Sequence, residues 1–285
     1  MKLQQEDIQL ILTTLRENSK YDLTNYSEKS IQRRLEKVTD DFQLDVPKML
    51  YKIKSDSSFP QKLVEAISVN TTEFFRDPNI WMQLRYDIYS KLKDISQINI
   101  WHAGCSTGQE IYSNLILLNE LELLDKVKVF ATDINNTVIE RAKKGIYRYR
   151  LNYDQPINFD KVINRHPLNY DINRGVPYSK YFDINIKKDL LKIKPFLLNK
   201  VMFRQHDLIN GDKSFFMKFH LIFCRNVLIY FNFNLQKKVL KTFHDNLNDL
   251  GFIILGQHES ILEPKELNLK KQKDYYIPRP PDTIS

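Results

Sequence analysis

The sequence predicts a doubly wound α/β sheet preceded by an all-helical segment and interrupted by a small antiparallel excursion. Three observations carry that expectation. From residue 98 onward, short apolar runs alternate with amphipathic stretches, the pattern of a parallel sheet covered on both faces. The first 70 residues instead repeat their apolar positions at helical spacing. Residues 146–198, rich in tyrosine and basic side chains, fit neither pattern.

In residues 1–70, Ile8, Ile11, Leu12 and Leu15 fall at i, i+3, i+4 and i+7, and Ile31, Leu35 and Val38 share one face of a second helix. A small bundle is expected there, as the first of two domains, 1–70 and 71–285. On the second helix Lys29, Arg33 and Lys37 recur every fourth residue away from the apolar stripe, with Arg34 beside them. Such a stripe is either a solvated outer face or a docking surface. In the second domain "INIWHAGC" and "KVKVFATD" read as strands and "QEIYSNLILLNELE" as a helix. "NTVIERAKKG" is expected to be a helix with Asn136 or Thr137 near its start and Gly145 as its C-cap. "KVMFRQHDL" and "HLIFCRN" are further strands; "NLQKKVLKTFHDNLNDLG" is an amphipathic helix closed by Gly251, followed by the strand "FIILG". Within 146–198, Phe182, Ile184 and Ile186 alternate with polar residues before a turn at Lys187–Asp189, which predicts an inserted antiparallel β-subdomain. An insertion of that length is more often functional than idle.

Composition narrows the classes of function. Hydrophobic residues make up 42% of the 285 and aromatics 12%, enough for a folded core. No apolar run approaches the roughly 20 residues of a membrane span, and "MKLQQEDIQLILTTLREN" has polar and acidic residues where a signal peptide is apolar. A cytoplasmic protein with no direct membrane insertion is expected, and nothing obliges more than a monomer. Cys105 and Cys224 fit neither zinc spacing nor a disulfide framework, and the six histidines form no ligand motif, so no metal is expected. The formal charge of +8 is unevenly spread: residues 1–70 hold eleven Lys/Arg and eleven Asp/Glu, whereas residues 143–206 hold fourteen Lys/Arg against five Asp. That basic middle would suit an acidic protein, a membrane surface or nucleic acid, or be a solvated surface.

In an open α/β sheet, ligands bind beyond the carboxyl ends of the strands at the switch point. Four strands end there in residues unsuited to a core: "AGCSTGQE" after the first, Asp133 after the second, Asp207 after "FRQH", and Arg225 with Asn226 after "LIFC". Gly104 and Gly108 permit a tight turn and close approach to the backbone, and Glu110 opens the following helix. Asp133 stands where Rossmann-like nucleotide sites place the acid that grips ribose hydroxyls. The spacing is neither the GxGxxG of dinucleotide binders nor a phosphate loop.

Taken together, "VNTTEFFRD", "IWHAGCSTGQEIYS", "FATDINNTVIERAKKGIY", "HLIFCRNVLIYFN" and "GFIILGQHES" resemble the chemotaxis-receptor methyltransferase family, CheR, in order from about residue 20 to residue 262. That family methylates glutamate side chains of chemoreceptors with S-adenosylmethionine, releasing S-adenosylhomocysteine. The resemblance implies a class I methyltransferase sheet, a receptor-contacting helical domain and a β-subdomain in the places found above. It implies that Asn70, Thr72 and Arg76 reach the cofactor, that Glu110 and Asp133 hold its amino-acid and ribose portions, and that Asp207 and Leu208 lie along the adenosine. Arg225 and Asn226 would complete the pocket, with Gly104 in its floor, and Arg76 and Tyr230 would stand nearest the methyl group. The basic stripe Lys29, Arg33, Arg34, Lys37 would meet the glutamate-lined cytoplasmic helices of a receptor. Some members dock a receptor's C-terminal tail on the β-subdomain edge, here residues 178–194. Two blocks depart from the family's usual wording, "GQEIYS" for GEEPYS and "GQHES" for GHSES, and Glu110 survives both.

Duller alternatives exist for single residues: Arg76 pairing with Asp77, and Tyr230 as a core aromatic. Rival functions are a methyltransferase acting on nucleic acid or another protein, and a non-catalytic cofactor-binding module. Nucleic acid is disfavoured by the absence of a [DN]PP[YF] segment of the kind that stacks a flipped base.

Overall fold

The computed structural model describes residues 2–152, 155–166, 174–210, 215, 217–273 and 275–278. The chain opens with α1 (Gln5–Asn18), α2 (Glu28–Phe42), α3 (Val46–Ser55) and α4 (Phe59–Ile67). Ile8, Ile11, Leu12 and Leu15 of α1 pack with Ile31, Leu35 and Val38 of α2, and Met49, Ile53, Leu63 and Val64 complete that cluster. The helical periodicity is therefore a packing periodicity. Asp45 caps α3 by accepting from the Lys48 amide at 2.9 Å.

No element was assigned between residues 71 and 97 from sequence. The structure places α5 (Pro78–Gln83), a π turn over Leu84–Ile88 and α6 (Tyr89–Leu92) there. The π turn shifts the helical register by one residue, which blurs the spacing by which a helix is recognised. The buried guanidinium of Arg85, in that turn, donates to the carbonyls of Val162 and Ile163, fastening the segment to the insertion.

The main sheet follows: β1 (Ile98–Ala103), α7 (Gln109–Glu120), β2 (Val127–Asp133) and α8 (Asn136–Lys144). The insertion holds β3 (Ile146–Arg148), α9 (Gln155–Phe159), β4 (Phe182–Asn185) and β5 (Leu190–Ile193). The chain returns through α10 (Pro195–Leu198), β6 (Val201–Gln205), β7 (Phe219–Cys224), α11 (Phe233–Asp245), β8 (Leu247–Leu255), β9 (Leu269–Gln272) and β10 (Tyr275–Pro278). Seven strands lie in the order β6-β2-β1-β7-β8-β10-β9. The first five are parallel, and β10 runs antiparallel to both neighbours. Ile98 and Ile100 face one apolar cluster with Trp81 and Ile116, while Trp101 and Ala103 face another with Val239 and Phe243. Both faces are covered, as the continuous apolar runs require. β1 is joined through α7 to β2 on one side and lies against β7 on the other, so the loops leaving β1 and β7 diverge and open a crevice.

Several expectations need correction. α8 is capped by Asn135, whose side chain accepts from Val138 N at 3.2 Å, one residue before Asn136. Gly145 does end it, at φ 57°, and a methyl group there would stand 2.5 Å from Leu198 Cδ2. α11 stops at Asp245 rather than at Gly251. Asn246 takes its C-cap, its carbonyl accepts from Phe219 N at 2.8 Å, and the chain joins the sheet at once as Leu247 pairs with Phe219. Sheet pairing thus overrides a helical pattern that runs on in sequence. The inserted three-stranded sheet, in the order β3-β5-β4, is antiparallel as predicted, with Asp189 at φ 53° in its turn. Of its alternating apolar residues only Phe182 is buried; Ile184 and Ile186 are 42% and 66% exposed because β4 is an edge strand that leaves the core after one residue. The strands β9 and β10 were not anticipated.

Candidate active site

The crevice at the carboxyl ends of the parallel strands is a cleft whose space, open solvent at its mouth included, comes to about 1120 Å³. Its floor is the turn after β1, where Gly104 adopts φ 78°, Ser106 φ 49° and Gly108 φ 92°. The amides of Gly104 and Cys105 both donate to the Thr132 carbonyl, at 2.8 and 2.9 Å, which folds the turn against the end of β2. A Cβ at Gly104 would lie 2.5 Å from Val227 Cγ2 in the facing loop, so glycine is required by both conformation and space. Gly104→Ala is expected to weaken S-adenosylhomocysteine binding at least tenfold while lowering stability by about 1–3 kcal/mol, the usual cost of overpacking; calorimetric titration and a thermal melt check both.

Asp133 ends β2 and receives the Ser106 amide at 2.8 Å and the Asn135 amide at 2.9 Å. Burial pushes its carboxyl up, and those two amides act in the opposite direction without cancelling the effect. Glu110, at the start of α7, has one oxygen 2.8 Å from His102 Nδ1 and the other 3.1 Å from Arg225. Burial acts to raise this carboxyl too, but the His102 hydrogen bond and the Arg225 charge outweigh it and hold it below the ordinary range. Asp207, after β6, accepts from Ile209 N at 2.8 Å and is pushed up by burial.

Arg225 is the keystone of the inner wall. Its guanidinium donates to Glu110, to Asp77 Oδ2 at 2.7 Å and to the carbonyl of Arg76 at 2.9 Å, so it ties the end of β7 to the segment preceding α5. Its two terminal nitrogens are committed to protein partners, while the buried Nε has none among the described residues, and the side chain serves to shape the cleft. Asn226 follows at φ 60°, its amide donating to Glu259 at 2.7 Å. The same carboxylate receives Gly256 N at 2.7 Å and Ile229 N at 3.3 Å, so Glu259 fastens the loop that carries Tyr230.

The opposite wall is the turn "FFRD". Phe75 and Asp77 both have left-handed backbones, at φ 52° and 56°, a strained arrangement for non-glycine residues. Buried rings hold it: Phe74 packs edge-on against Tyr147 and Phe182, and Phe75 against Trp81 and Phe159. Between the two strained residues Arg76 projects into the cleft lining. Asp77 pairs with Arg225, not with Arg76, whose guanidinium has no protein partner among the described residues. Tyr230 is half-buried with no partner for its hydroxyl among those residues, so it is not a satisfied core aromatic.

A match to the CheR methyltransferase, SAM-binding domain model spans residues 70–158 and 172–277. The chain belongs to the CheR methyltransferase family. Relatives include a Pseudomonas putida protein whose name contains "methyltransferase Cher3", 33% identical over 90% of this chain and 89% of that one. A chemotaxis protein methyltransferase of Borreliella burgdorferi is 32% identical over 72% of this chain and 70% of its own, and one of Listeria innocua is 27% identical over 90% of each.

As a CheR-family member the protein is an S-adenosylmethionine-dependent methyltransferase, and the cleft fits that cofactor. Gly104 lets the turn pack close beneath the facing Val227 in the cleft lining, and the enclosed Ser106 hydroxyl has no partner among the described residues. Three acids, Glu110, Asp133 and Asp207, line the same wall and supply acceptors for ammonium and hydroxyl groups. Asn70, Thr72, Arg76, Gly104, Glu110, Asp133, Asp207, Leu208, Arg225, Asn226 and Tyr230 all lie on this one cleft. The basic stripe divides. Lys29, Arg33 and Lys37 are exposed on α2, whereas Arg34 lines the cleft, one position round the helix.

Sequence reasoning missed Tyr26, His102, Ser106, Asp77 and Glu259. Tyr26 precedes α2 and forms a bridge with Phe231, while Ser27 N donates to the Tyr230 carbonyl at 2.8 Å and Asn232 N to the Asn25 carbonyl at 3.0 Å. The helical segment thus closes the cleft by pairing with the loop that carries Tyr230. No local pattern announces that contact. Glu259 did have a signal, an acid four residues beyond the end of the buried strand β8.

Proposed function

We propose that the protein methylates glutamate side-chain carboxylates on the cytoplasmic helices of chemoreceptors, yielding glutamate methyl esters and S-adenosylhomocysteine. The observation that carries this reading is a pair of side chains without partners among the described residues, the Arg76 guanidinium and the Tyr230 hydroxyl, on the same cleft as the three acids.

S-adenosylmethionine, when bound, supplies an electrophilic methyl group on a sulfonium. Glu110 would hold its ammonium, Asp133 its ribose hydroxyls, and Asp207 with Leu208 would flank the base. The acceptor glutamate has a reference pKa of about 4.3 and arrives ionised at neutral pH, so no general base is needed. Transfer of that methyl to the carboxylate oxygen, with the carbon–sulfur electron pair departing on sulfur, would move no proton. Opposite charges merge in this step, which a water-poor cleft favours. Arg76 and Tyr230 orient the carboxylate; a grip tighter on the ground state than on the transition state would slow transfer.

Lys29, Arg33 and Lys37 face solvent on α2, where a glutamate-lined helix would meet them. Exposed pairs contribute about 0–1 kcal/mol each, so they steer more than they hold. Changing all three to Gln is expected to raise KM for a receptor fragment about three- to tenfold and flatten its salt dependence, with kcat unchanged. A receptor tail would add as a strand to the open edge of β4.

The deciding experiment incubates the protein with labelled S-adenosylmethionine and receptor cytoplasmic fragments, then reads glutamates by mass spectrometry. One added methylene per modified glutamate, abolished by Glu→Ala at the acceptor, is the expected result. Label on nucleic acid alone, or cofactor binding without transfer to protein, would reject this reading.

A further inference from the structure

His102 is an oddity of β1, a titratable ring in the strand "INIWHA" whose other residues are apolar or lie at its start. It is fully buried, stacked on Phe223 with ring centroids 4.4 Å apart and planes 10° from parallel. Both ring nitrogens are engaged. Nδ1 stands 2.8 Å from Glu110 Oε1, and Nε2 stands 3.2 Å from Asn114 Nδ2 on α7. The carboxamide oxygen of Asn114 accepts in turn from the hydroxyl of Tyr89, on α6.

With the Asn114 carboxamide oxygen facing Tyr89 and its nitrogen facing His102, these contacts assign the protons. Burial pushes the Tyr89 phenol up, so it stays protonated and donates to the Asn114 oxygen. That orients the Asn114 NH₂ toward His102 Nε2, which must be bare to accept, leaving the proton on Nδ1 to donate to Glu110. A proton on Nε2 would confront the amide hydrogens directly. The chain Tyr89, Asn114, His102, Glu110 therefore runs as donors in one direction and ends on the carboxylate. From the other side Arg225 engages Oε2, so each oxygen of Glu110 is anchored by a separate strand end.

We propose that His102 is a positioning residue: as the neutral Nδ1–H tautomer it keeps Glu110 anionic and fixed in the cleft wall for the ammonium of the cofactor's amino-acid arm. This rests on the reading of Glu110 as the ammonium partner. Without His102, the residual contact among the described residues is Arg225, which allows the carboxylate to rotate toward the guanidinium and away from the cleft. The effect falls on cofactor affinity and not on the acceptor, because neither His102 nor Asn114 lines the cleft.

Titration of wild-type protein with S-adenosylhomocysteine tests the cofactor reading by itself. For His102, long-range ¹⁵N NMR of the cofactor-free protein at neutral pH should show a protonated Nδ1 and a bare Nε2. His102→Leu, which fills the space without a donor, is expected to lose about tenfold in affinity, the usual scale for a hydrogen bond to a charged group. KM for S-adenosylmethionine should rise in proportion, with kcat at saturation unchanged. His102→Asn, which returns an N–H near the place of Nδ1, should recover affinity to within about threefold. In a Glu110→Gln background His102→Leu should cost nothing further. A proton found on Nε2, wild-type affinity in His102→Leu, or an equal loss in His102→Asn and His102→Leu overturns the proposal.

Discussion

Arg76→Ala should lower kcat for glutamate methylation by about two to three orders of magnitude while leaving the melting temperature close to that of wild type. The magnitude is that of removing one preorganised charged donor from a reacting site. The separation of effects follows from the structure. Its backbone carbonyl, not its side chain, holds Arg225 and the Trp81 indole, so alanine at this position keeps the turn intact. The guanidinium has no partner to lose among the described residues. Steady-state kinetics with a receptor fragment, alongside a thermal melt, checks the separation. Tyr230→Phe should lose less, about tenfold, because a single neutral hydroxyl is removed. A double variant that still turned over at the wild-type rate would remove both residues from the chemistry.

Arg225→Ala should have the opposite profile, destabilising the fold by about 3–5 kcal/mol, the range for stripping one partner from a buried ion pair. Three anchors go together: Glu110, Asp77 and the Arg76 carbonyl. Glu110 is then left with burial as its dominant influence and only His102 to oppose it, so its carboxyl rises. The pH dependence has a definite sign. In wild type the Glu110 carboxyl is held low, so the stability it contributes is present above its unfolded pKa and disappears as pH falls through the folded value. The variant never has that contribution. The gap between the two melting curves should therefore be widest near neutral pH and narrow on acidification; a constant gap would mean that the charge on Glu110 is not what Arg225 serves.

Arg225 also shows how far local sequence carries. Its position at the end of an apolar strand marked it as a residue leaving the core for the crevice, and it stands there. Its role could not be read in the same way, because Glu110 and Asp77 are about a hundred residues or more distant in sequence. Arg34 makes the same point on one helix. It was counted with Lys29, Arg33 and Lys37 as a neighbour of their stripe, but a rotation of one residue carries it from the solvent face to the cleft. Where the wall against α2 lies is decided by the 25–27 segment pairing with 230–232, a contact without a sequence signature.

What the sequence determined by itself was periodicity and punctuation: helical spacing in the first 70 residues, apolar strands from 98, a glycine turn at 104, and acids and an Arg–Asn pair at strand ends. Those features are local, since side-chain direction alternates along a strand and turns with a helix whatever the rest of the chain does. Only the tertiary structure decided where α11 stops, which cations face the cleft, and which charges neutralise one another. Each of those depends on distances between segments far apart in the chain, and burial and Coulomb energies act through those distances, not through neighbours in sequence.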